Sequence, residues 1–296
     1  MKDTAICIFA YTRESGLKNL IEDIKKNQNF KKYEYYFFID YPKQKKSLLK
    51  NTRIIKITNE FKKLANVKVI KRKRNYGLSK NILNGINFIK KRYKKFIILE
   101  DDLRISKFYL NYMQTLLNKY ENDDKIYSIT GYNFPKKIFD LNLKKFSVFL
   151  TKRPNSWAWG SWSKKWSKVN FDNKIFDKIY SNKKTMKLIS KYGEDLKFIL
   201  RDTLNLKIES WAVKWTIYHI LYNKYCIYPV NSLVNEEGFK YLPTNNFFRT
   251  KKFHHKSLSK KILKINKLKN ENFTIINKIY NIYNFSIYKK IFKSVF

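Results

Sequence analysis

The chain reads as an α/β protein: a Rossmann-like mixed sheet flanked by helices, followed by a basic helical C-terminal tail. Two observations predict this. Short apolar runs at residues 4–11, 35–39, 67–70 and 96–99 alternate with stretches whose apolar residues recur at helical spacing, which is the pattern of strand–helix units around a buried sheet. From Lys251 onward there are twelve lysines against one carboxylate, Glu271, with Ile276, Tyr280, Tyr283, Ile287 and Ile291 at helical spacing.

The first strand, Thr-Ala-Ile-Cys-Ile-Phe-Ala-Tyr at 4–11, is apolar throughout, as expected of a strand covered on both faces. Ser15 offers an N-cap to a helix with Leu17, Leu20, Ile21 and Ile24 on one side. The second strand stops at Asp40 and a turn around Pro42, and a mostly basic helix occupies 47–64. The third runs into Arg72-Lys73-Arg74-Asn75-Tyr76-Gly77-Leu78, after which Ser79 opens a helix carrying Ile82, Leu83, Ile86 and Ile89. Beyond the fourth strand, 108–120 is helical and 126–130 is a strand closed by Gly131. After Pro135 the texture changes. Trp157, Trp159, Trp162 and Trp166 fall within ten positions, Trp211 and Trp215 follow later, and 186–206 reads as one helix between the two groups.

With 44% hydrophobic residues in 296, a sizeable core can be buried. The 64 Lys and Arg against 23 Asp and Glu give a formal charge of +41, a field that favours phosphorylated or anionic partners. Cys7 and Cys226 make neither a disulfide framework nor a metal knuckle, and His219, His254 and His255 lack zinc spacing. No apolar run approaches the roughly 18–20 residues of a spanning helix, and the N-terminus does not resemble a signal peptide. The expected location is the cytoplasm.

In so basic a chain, the three consecutive carboxylates Glu100, Asp101 and Asp102, directly after the fourth strand, stand out. Ligands bind at the carboxyl ends of strands in open α/β sheets, and clustered like charges are costly unless a cation offsets them. The stretch is therefore either a divalent-metal site or a polar loop in which Asp102 or Ser106 caps the next helix. The neighbouring strand ends bring Ala10, Tyr11 and Arg13, then Asp40, then Arg72, Asn75, Gly77 and Leu78. Together they make a pocket of both charge signs, which suits a nucleoside diphosphate: carboxylates for base or ribose, arginines for phosphate.

Seven stretches, in order over residues 4 to 240, resemble those of the bacterial GT-A-fold glycosyltransferases, a family related to the N-acetylglucosaminyltransferase I-like catalytic domain. They are Phe9-Ala10-Tyr11-Thr12-Arg13, Arg72 to Leu78 as quoted above, Leu99-Glu100-Asp101-Asp102, Ser128-Ile129-Thr130-Gly131-Tyr132, Ser156-Trp157-Ala158-Trp159-Gly160-Ser161-Trp162, Glu209-Ser210-Trp211-Ala212-Val213-Lys214-Trp215, and Tyr228-Pro229-Val230-Asn231-Ser232-Leu233-Val234 running on to Gly238-Phe239. The resemblance implies a catalytic domain over 1–250, with a nucleotide-sugar half (1–132) and an acceptor half (133–250), ahead of the tail at 251–296.

It also implies an inverting transfer from a nucleotide sugar, a UDP-sugar above all, to a glycan or glycolipid acceptor, with Mn²⁺ or Mg²⁺. Asp102 matches the last acid of the family's metal motif. Glu100 and Asp101 would then meet the donor, and Arg13, Asp40 and Arg72 match nucleotide-binding positions. The Trp-containing motif usually begins with Asp, and here it begins with Glu209. That keeps a carboxylate for the general base but lengthens its reach by one methylene. Asp202 is the reserve base, and Glu209 could instead be a plain surface carboxylate. Trp157, Trp159 and Trp211 are either core residues or a stacking platform for the acceptor or donor sugar, with Trp157 the first choice.

The expected setting is surface-glycan synthesis, such as lipopolysaccharide or capsule, at the inner face of the cytoplasmic membrane. The tail would contact the anionic leaflet, or else pack on the domain with its lysines outward. Charge alone would also fit a nucleic-acid-binding protein. The basic residues are dispersed, however, and no nucleic-acid module is present, so no nucleic acid is expected as partner. A sugar-phosphate nucleotidyltransferase would need a glycine-rich loop after the first strand, where Tyr11-Thr12-Arg13-Glu14-Ser15-Gly16 has a single glycine. A catalytically dead scaffold is separated only by an activity test.

Overall fold

The computed structural model describes residues 1–143, 146–238, 253–259 and 268–284. The first half comprises β1 (Lys2–Ala10), α1 (Glu14–Lys25), β2 (Glu34–Ile39), α2 (Leu48–Lys62), β3 (Asn66–Lys71), α3 (Leu78–Ile89), β4 (Tyr93–Glu100), β5 (Leu103–Ile105), α4 (Tyr109–Lys119) and β6 (Ile126–Thr130). The second comprises β7 (Val148–Thr151), β8 (Trp159–Trp162), α5 (Ser163–Trp166), α6 (Asn173–Ser181), α7 (Lys183–Ser190), α8 (Asp195–Leu204), α9 (Trp211–Leu221), β9 (Tyr225–Pro229), β10 (Val234–Glu236), β11 (Leu268–Lys269) and α10 (Phe273–Ile282).

Nine strands form one mixed sheet in the order β11-β7-β9-β6-β8-β4-β1-β2-β3. The four strands read from the apolar runs lie side by side and parallel. Alternation along each strand sends successive side chains to opposite faces. Ile6, Ile8, Phe37, Ile97 and Leu99 join the core under α1, α2 and α4, whereas Cys7, Phe9, Phe38, Phe96 and Ile98 face α3 and the tryptophans. Both faces are covered, which is why these strands are continuously apolar. On the far side, β8 inserts antiparallel between β4 and β6.

A two-stranded ribbon, β5 with β10, hangs below the end of β4. It is tied to α1: Arg104 donates to both oxygens of Asp23, at 2.6 and 2.9 Å. Buried Asn27 bonds the Ser106 carbonyl and the Leu110 amide. This clamp fixes the chain just after the acidic triplet.

The single helix expected over 186–206 is two, α7 and α8, broken around Gly193, where φ is +133°. The break is tertiary in origin. Buried Asp195 pairs in bidentate fashion with Arg153, and the same guanidinium donates to the Tyr192 carbonyl at 2.7 Å. In the described part of the tail, β11 adds a parallel strand beside β7 and α10 turns Ile275, Ile279 and Ile282 into the core. Tyr283 lies under the Arg153 guanidinium, 3.5 Å from its ring centre. Of the apolar tail positions read from spacing, Ile287 and Ile291 lie outside the described residues.

His219 ties α9 to β6 and sets a pH limit. Its Nδ1 meets the Trp215 carbonyl at 2.9 Å and its Nε2 the Ser128 hydroxyl at 2.9 Å. A carbonyl only accepts, so Nδ1 carries the proton and Nε2 accepts from Ser128. Burial drops the imidazole from 6.5 to about 3. The unfolded chain therefore takes up a proton that the folded chain refuses, and stability falls as pH drops from about 6.5 towards 3. His219→Gln should remove on the order of 2.5 kcal/mol of the stability lost between pH 6 and pH 4, measured by urea unfolding across that range. Identical pH slopes for variant and wild type would refute this.

Candidate active site

Four strand ends meet at one lip of the sheet. The Asp101 amide donates to the Phe9 carbonyl at 3.1 Å, and the Asp101 carboxylate accepts from the Tyr11 amide (2.9 Å) and from Arg13 Nη1 (2.8 Å). Arg13 also lies 3.1 Å from Asp102. Burial works against the Arg13 charge, but Asp101 and Asp102 outweigh it and hold the guanidinium above its ordinary value. Asp101 thus spends its oxygens on the loop after β1 and on Arg13.

Asp40 plays the matching part at the next strand. Its Oδ1 accepts from the Tyr41 and Tyr76 amides, and its Oδ2 from the Gly77 amide at 2.9 Å and from Asn75 Nδ2 at 3.3 Å. The loop after β3 is thereby folded over the end of β2. Gly77 makes this possible, with φ at +73°, a backbone region most side chains avoid. Arg72 stacks between Phe38 and Tyr76, 5.4 and 4.8 Å from their ring centres, and donates to Asn81 at 2.8 Å. Asn51 completes the stitching: from α2 it donates to both the Tyr11 and Asp40 carbonyls, at 2.8 and 2.9 Å.

A second carboxylate group gathers beneath. The β5–β10 pairing sets Glu236 opposite Leu103, and the Glu237 amide donates to the Asp102 carbonyl at 2.9 Å. A Cβ added at Gly238 would run into Glu236 and would lie 2.7 Å from Asp102 Oδ2. Burial pushes the Glu100 carboxyl well above the ordinary carboxylate range; Asp102, Asp101 and Glu236 add to this and Arg13 opposes it. Among the described residues Glu100, Asp101, Asp102 and Glu236 thus gather at this lip, with Arg13 paired to Asp101 and Asp102. Among the described residues no three His, Cys, Asp or Glu side chains form a ready-made cage. Their all-oxygen chemistry suits Mg²⁺ or Mn²⁺, which take a carboxylate or two and complete their shell with phosphate and water.

Glu209 comes to this lip from the other half of the chain. It precedes Ser210, whose hydroxyl caps α9 by accepting from the Val213 amide at 3.3 Å. Its side chain is exposed, and its Oε2 lies 3.4 Å from where a Gly77 Cβ would stand. Asp202 does something else: it accepts from neighbouring Arg201 at 2.9 Å, and its carbonyl holds the 207–208 turn. Of the two readings open for them, Trp159 and Trp211 take the core one. They stack on each other at 5.2 Å and are 1% and 6% exposed, so neither offers a face to a sugar. Trp157 is half-buried, edge-on to Tyr132 at 4.8 Å.

Ala10 and Leu78 supply backbone positions in this frame: the Ala10 carbonyl accepts the Asp40 amide at 3.0 Å, and Leu78 begins α3. Residue-type reasoning missed Asn51, which carries no signal of its own in a basic helix. It also missed Glu236, whose one signal is a pair of acids before Gly238 in an acid-poor chain.

The family model for glycosyl transferase family 2 matches residues 5–188, more than half of the chain. The protein is a member of glycosyl transferase family 2. Its sheet and flanking helices are the GT-A fold of such transferases. The matched span of this glycosyltransferase includes Arg13, Asp40, Arg72 and the acidic triplet and stops short of Glu209 and Glu236. No curated protein matches the chain. Among solved structures, S. aureus TarS is 16% identical with a TM-score of 0.36, covering 47% of this chain and 24% of that one. The TarS 1–349 structure is 14% identical, TM-score 0.46, covering 79% and 59%. The mannosyltransferase PcManGT from Pyrobaculum calidifontis, in complex with GDP-Man and Mn2+, is 9% identical, TM-score 0.43, covering 73% of each. The glycosyltransferase thus spans about a quarter of the first TarS chain and under two thirds of the TarS 1–349 chain.

Proposed function

We propose that this glycosyltransferase moves a sugar, a hexose or N-acetylhexosamine, from a UDP-sugar to a glycan or glycolipid acceptor with inversion. Residues 1–132 hold the donor and 133–250 the acceptor. The observation that carries the reading is the approach of Glu209 to Gly77, which sets an exposed carboxylate beside the lip made by Arg13, Asp40, Arg72 and the acidic triplet. Asp102, with Glu236 beside it, would hold Mn²⁺ or Mg²⁺. The metal, when bound, supplies Lewis acidity and offsets charge on the leaving diphosphate.

The residues of the chain do the rest. Arg13 and Arg72 fix the donor end of the pocket, Glu100 and Asp101 line it, and Trp157 offers the acceptor side an apolar ring. Glu209 takes the proton from the attacking hydroxyl. The setting is surface-polysaccharide, lipopolysaccharide or capsule synthesis, with the enzyme held peripherally at the inner face of the cytoplasmic membrane. Among the described residues no helix is long and apolar enough to cross a membrane. Charge is what favours attachment, the tail from 251 onward carrying twelve lysines.

A thermal-shift screen of UDP-, GDP-, CMP- and TDP-sugars, each with Mn²⁺ and with EDTA, tests the donor assignment. A UDP-sugar at about a hundred times its Kd should stabilise by roughly 2.7 kcal/mol, and only with metal. Stabilisation by oligonucleotides, and by no nucleotide sugar, would overturn the reading.

A further inference from the structure

The loop between β2 and α2, together with the start of α2, has an unusual surface. Residues 41–59 contain Lys43, Lys45, Lys46, Lys50, Arg53 and Lys56 and no Asp or Glu. Within this cationic stretch three large apolar side chains stand in solvent: Tyr41 is 42% exposed, Leu48 42% and Leu49 64%. Lys43, Lys45, Lys46 and Lys50 are exposed beside them. Exposed leucines are ordinary when single. Two in succession, ringed by lysines, are not explained by packing.

Nor is this a loose segment. Buried Asn51 pins the first turn of α2 to the Tyr11 and Asp40 carbonyls, while Ile54, Ile57 and Phe61 bury the helix further along. The Lys43 amide donates to the Tyr11 hydroxyl at 2.8 Å, and Asn75 donates to the Tyr41 carbonyl at 2.6 Å. Leu48 and Leu49 therefore project from a rigid mount at the mouth of the donor pocket. α10 offers no matching pair: Ile275, Ile279 and Ile282 are turned into the core, and at its start Phe273, 76% exposed, stands without an exposed apolar neighbour in sequence.

We infer that this loop docks the protein on an anionic lipid leaflet, with Leu48 and Leu49 entering the interface and Lys45, Lys46 and Lys50 lying over the headgroups. Apolar insertion plus cationic flanks is the chemistry of interfacial attachment, and the side chains offered match both halves of it. A soluble acidic polymer would use the lysines and leave the leucines without a role. The inference extends the peripheral-membrane reading above by assigning the surface. It would also place the pocket mouth facing the layer where a lipid-borne acceptor sits.

The test is co-sedimentation with phosphatidylglycerol/phosphatidylcholine vesicles, against phosphatidylcholine alone, on the full chain without donor or acceptor. Its outcome is thus independent of whether sugar transfer is found. Leu48→Ser/Leu49→Ser and Lys45→Gln/Lys46→Gln/Lys50→Gln are exposed changes outside the catalytic lip. Each lysine should contribute roughly fivefold, so the triple variant should lose on the order of a hundredfold in vesicle affinity. The leucine pair should lose at least about tenfold, both with unchanged Tm and unchanged turnover on a soluble acceptor. Wild-type vesicle binding by either variant would overturn the inference. So would a leucine variant that binds normally while the lysine variant loses affinity for vesicles and for polyphosphate alike, since the loop would then be a site for acidic polymers.

Discussion

Glu209→Gln is expected to leave donor binding and Tm unchanged and to lower kcat by roughly 10²–10⁴-fold, the usual worth of a general base. The substitution keeps the shape of the side chain and removes its charge and with it the capacity to accept a proton. Glu209 is exposed and precedes the capped start of α9, so neither fold nor helix depends on its charge. Across the lip it approaches Gly77, whose amide is held by Asp40 at 2.9 Å. The carboxylate thus has a fixed floor on one side and solvent, where an acceptor would enter, on the other. Steady-state kinetics with a matched donor titration separate the outcomes. Near-normal kcat would remove Glu209 from the chemistry, and a raised donor Kd with normal kcat would make it a binding residue. The same experiment on Asp202→Asn should show little change, because Asp202 is engaged with Arg201 at 2.9 Å.

How far these residues could be read in advance depends on whether their role is local. The strands around Ile6, Phe37 and Ile97 declare themselves because burial on both faces demands unbroken apolar runs. Arg13, Asp40, Arg72 and Asp101 follow, since strand ends in such a sheet converge on one lip. β8 does not declare itself: Trp-Gly-Ser-Trp has no strand-like alternation. Its place is set by pairing with β4 and by the tight approach of Gly160 to the Phe96 carbonyl. The break between α7 and α8 is equally hidden, because the pair that stabilises it, Arg153 with Asp195, is 42 residues apart. Asp40 is a subtler case. Its position marked it for the nucleotide, and the structure has it saturated with loop amides, so it builds the pocket wall first. Glu236 reaches Asp102 only through the β5–β10 ribbon, a contact that no local pattern encodes.

Asp102→Ala is expected to abolish the metal-dependent part of nucleoside-diphosphate binding. Loss of an outer-shell partner typically costs 10–100-fold in metal affinity, and loss of a direct ligand should cost at least the upper end of that range. The change is local by construction. Arg13 keeps its 2.8 Å bond to Asp101, and Asp101 keeps the Tyr11 amide, so the loop after β1 stays in place. The Asp102 carbonyl, which accepts the Glu237 amide at 2.9 Å, is untouched. What disappears is one carboxylate from the group formed with Glu100, Asp101 and Glu236, and with it the oxygen that a Gly238 Cβ would approach within 2.7 Å. Calorimetric titration of UDP with Mn²⁺ and with EDTA reads the result directly. In the wild type the two curves should differ by on the order of a hundredfold or more; in the variant they should coincide. If Mn²⁺ still tightens UDP binding in Asp102→Ala, the metal is held elsewhere, and Glu236 with Glu100 becomes the pair to replace next. If neither protein responds to Mn²⁺, the guanidinium of Arg13 is itself the cation that the diphosphate meets, and its ion pairs with Asp101 and Asp102 hold it in readiness for that role.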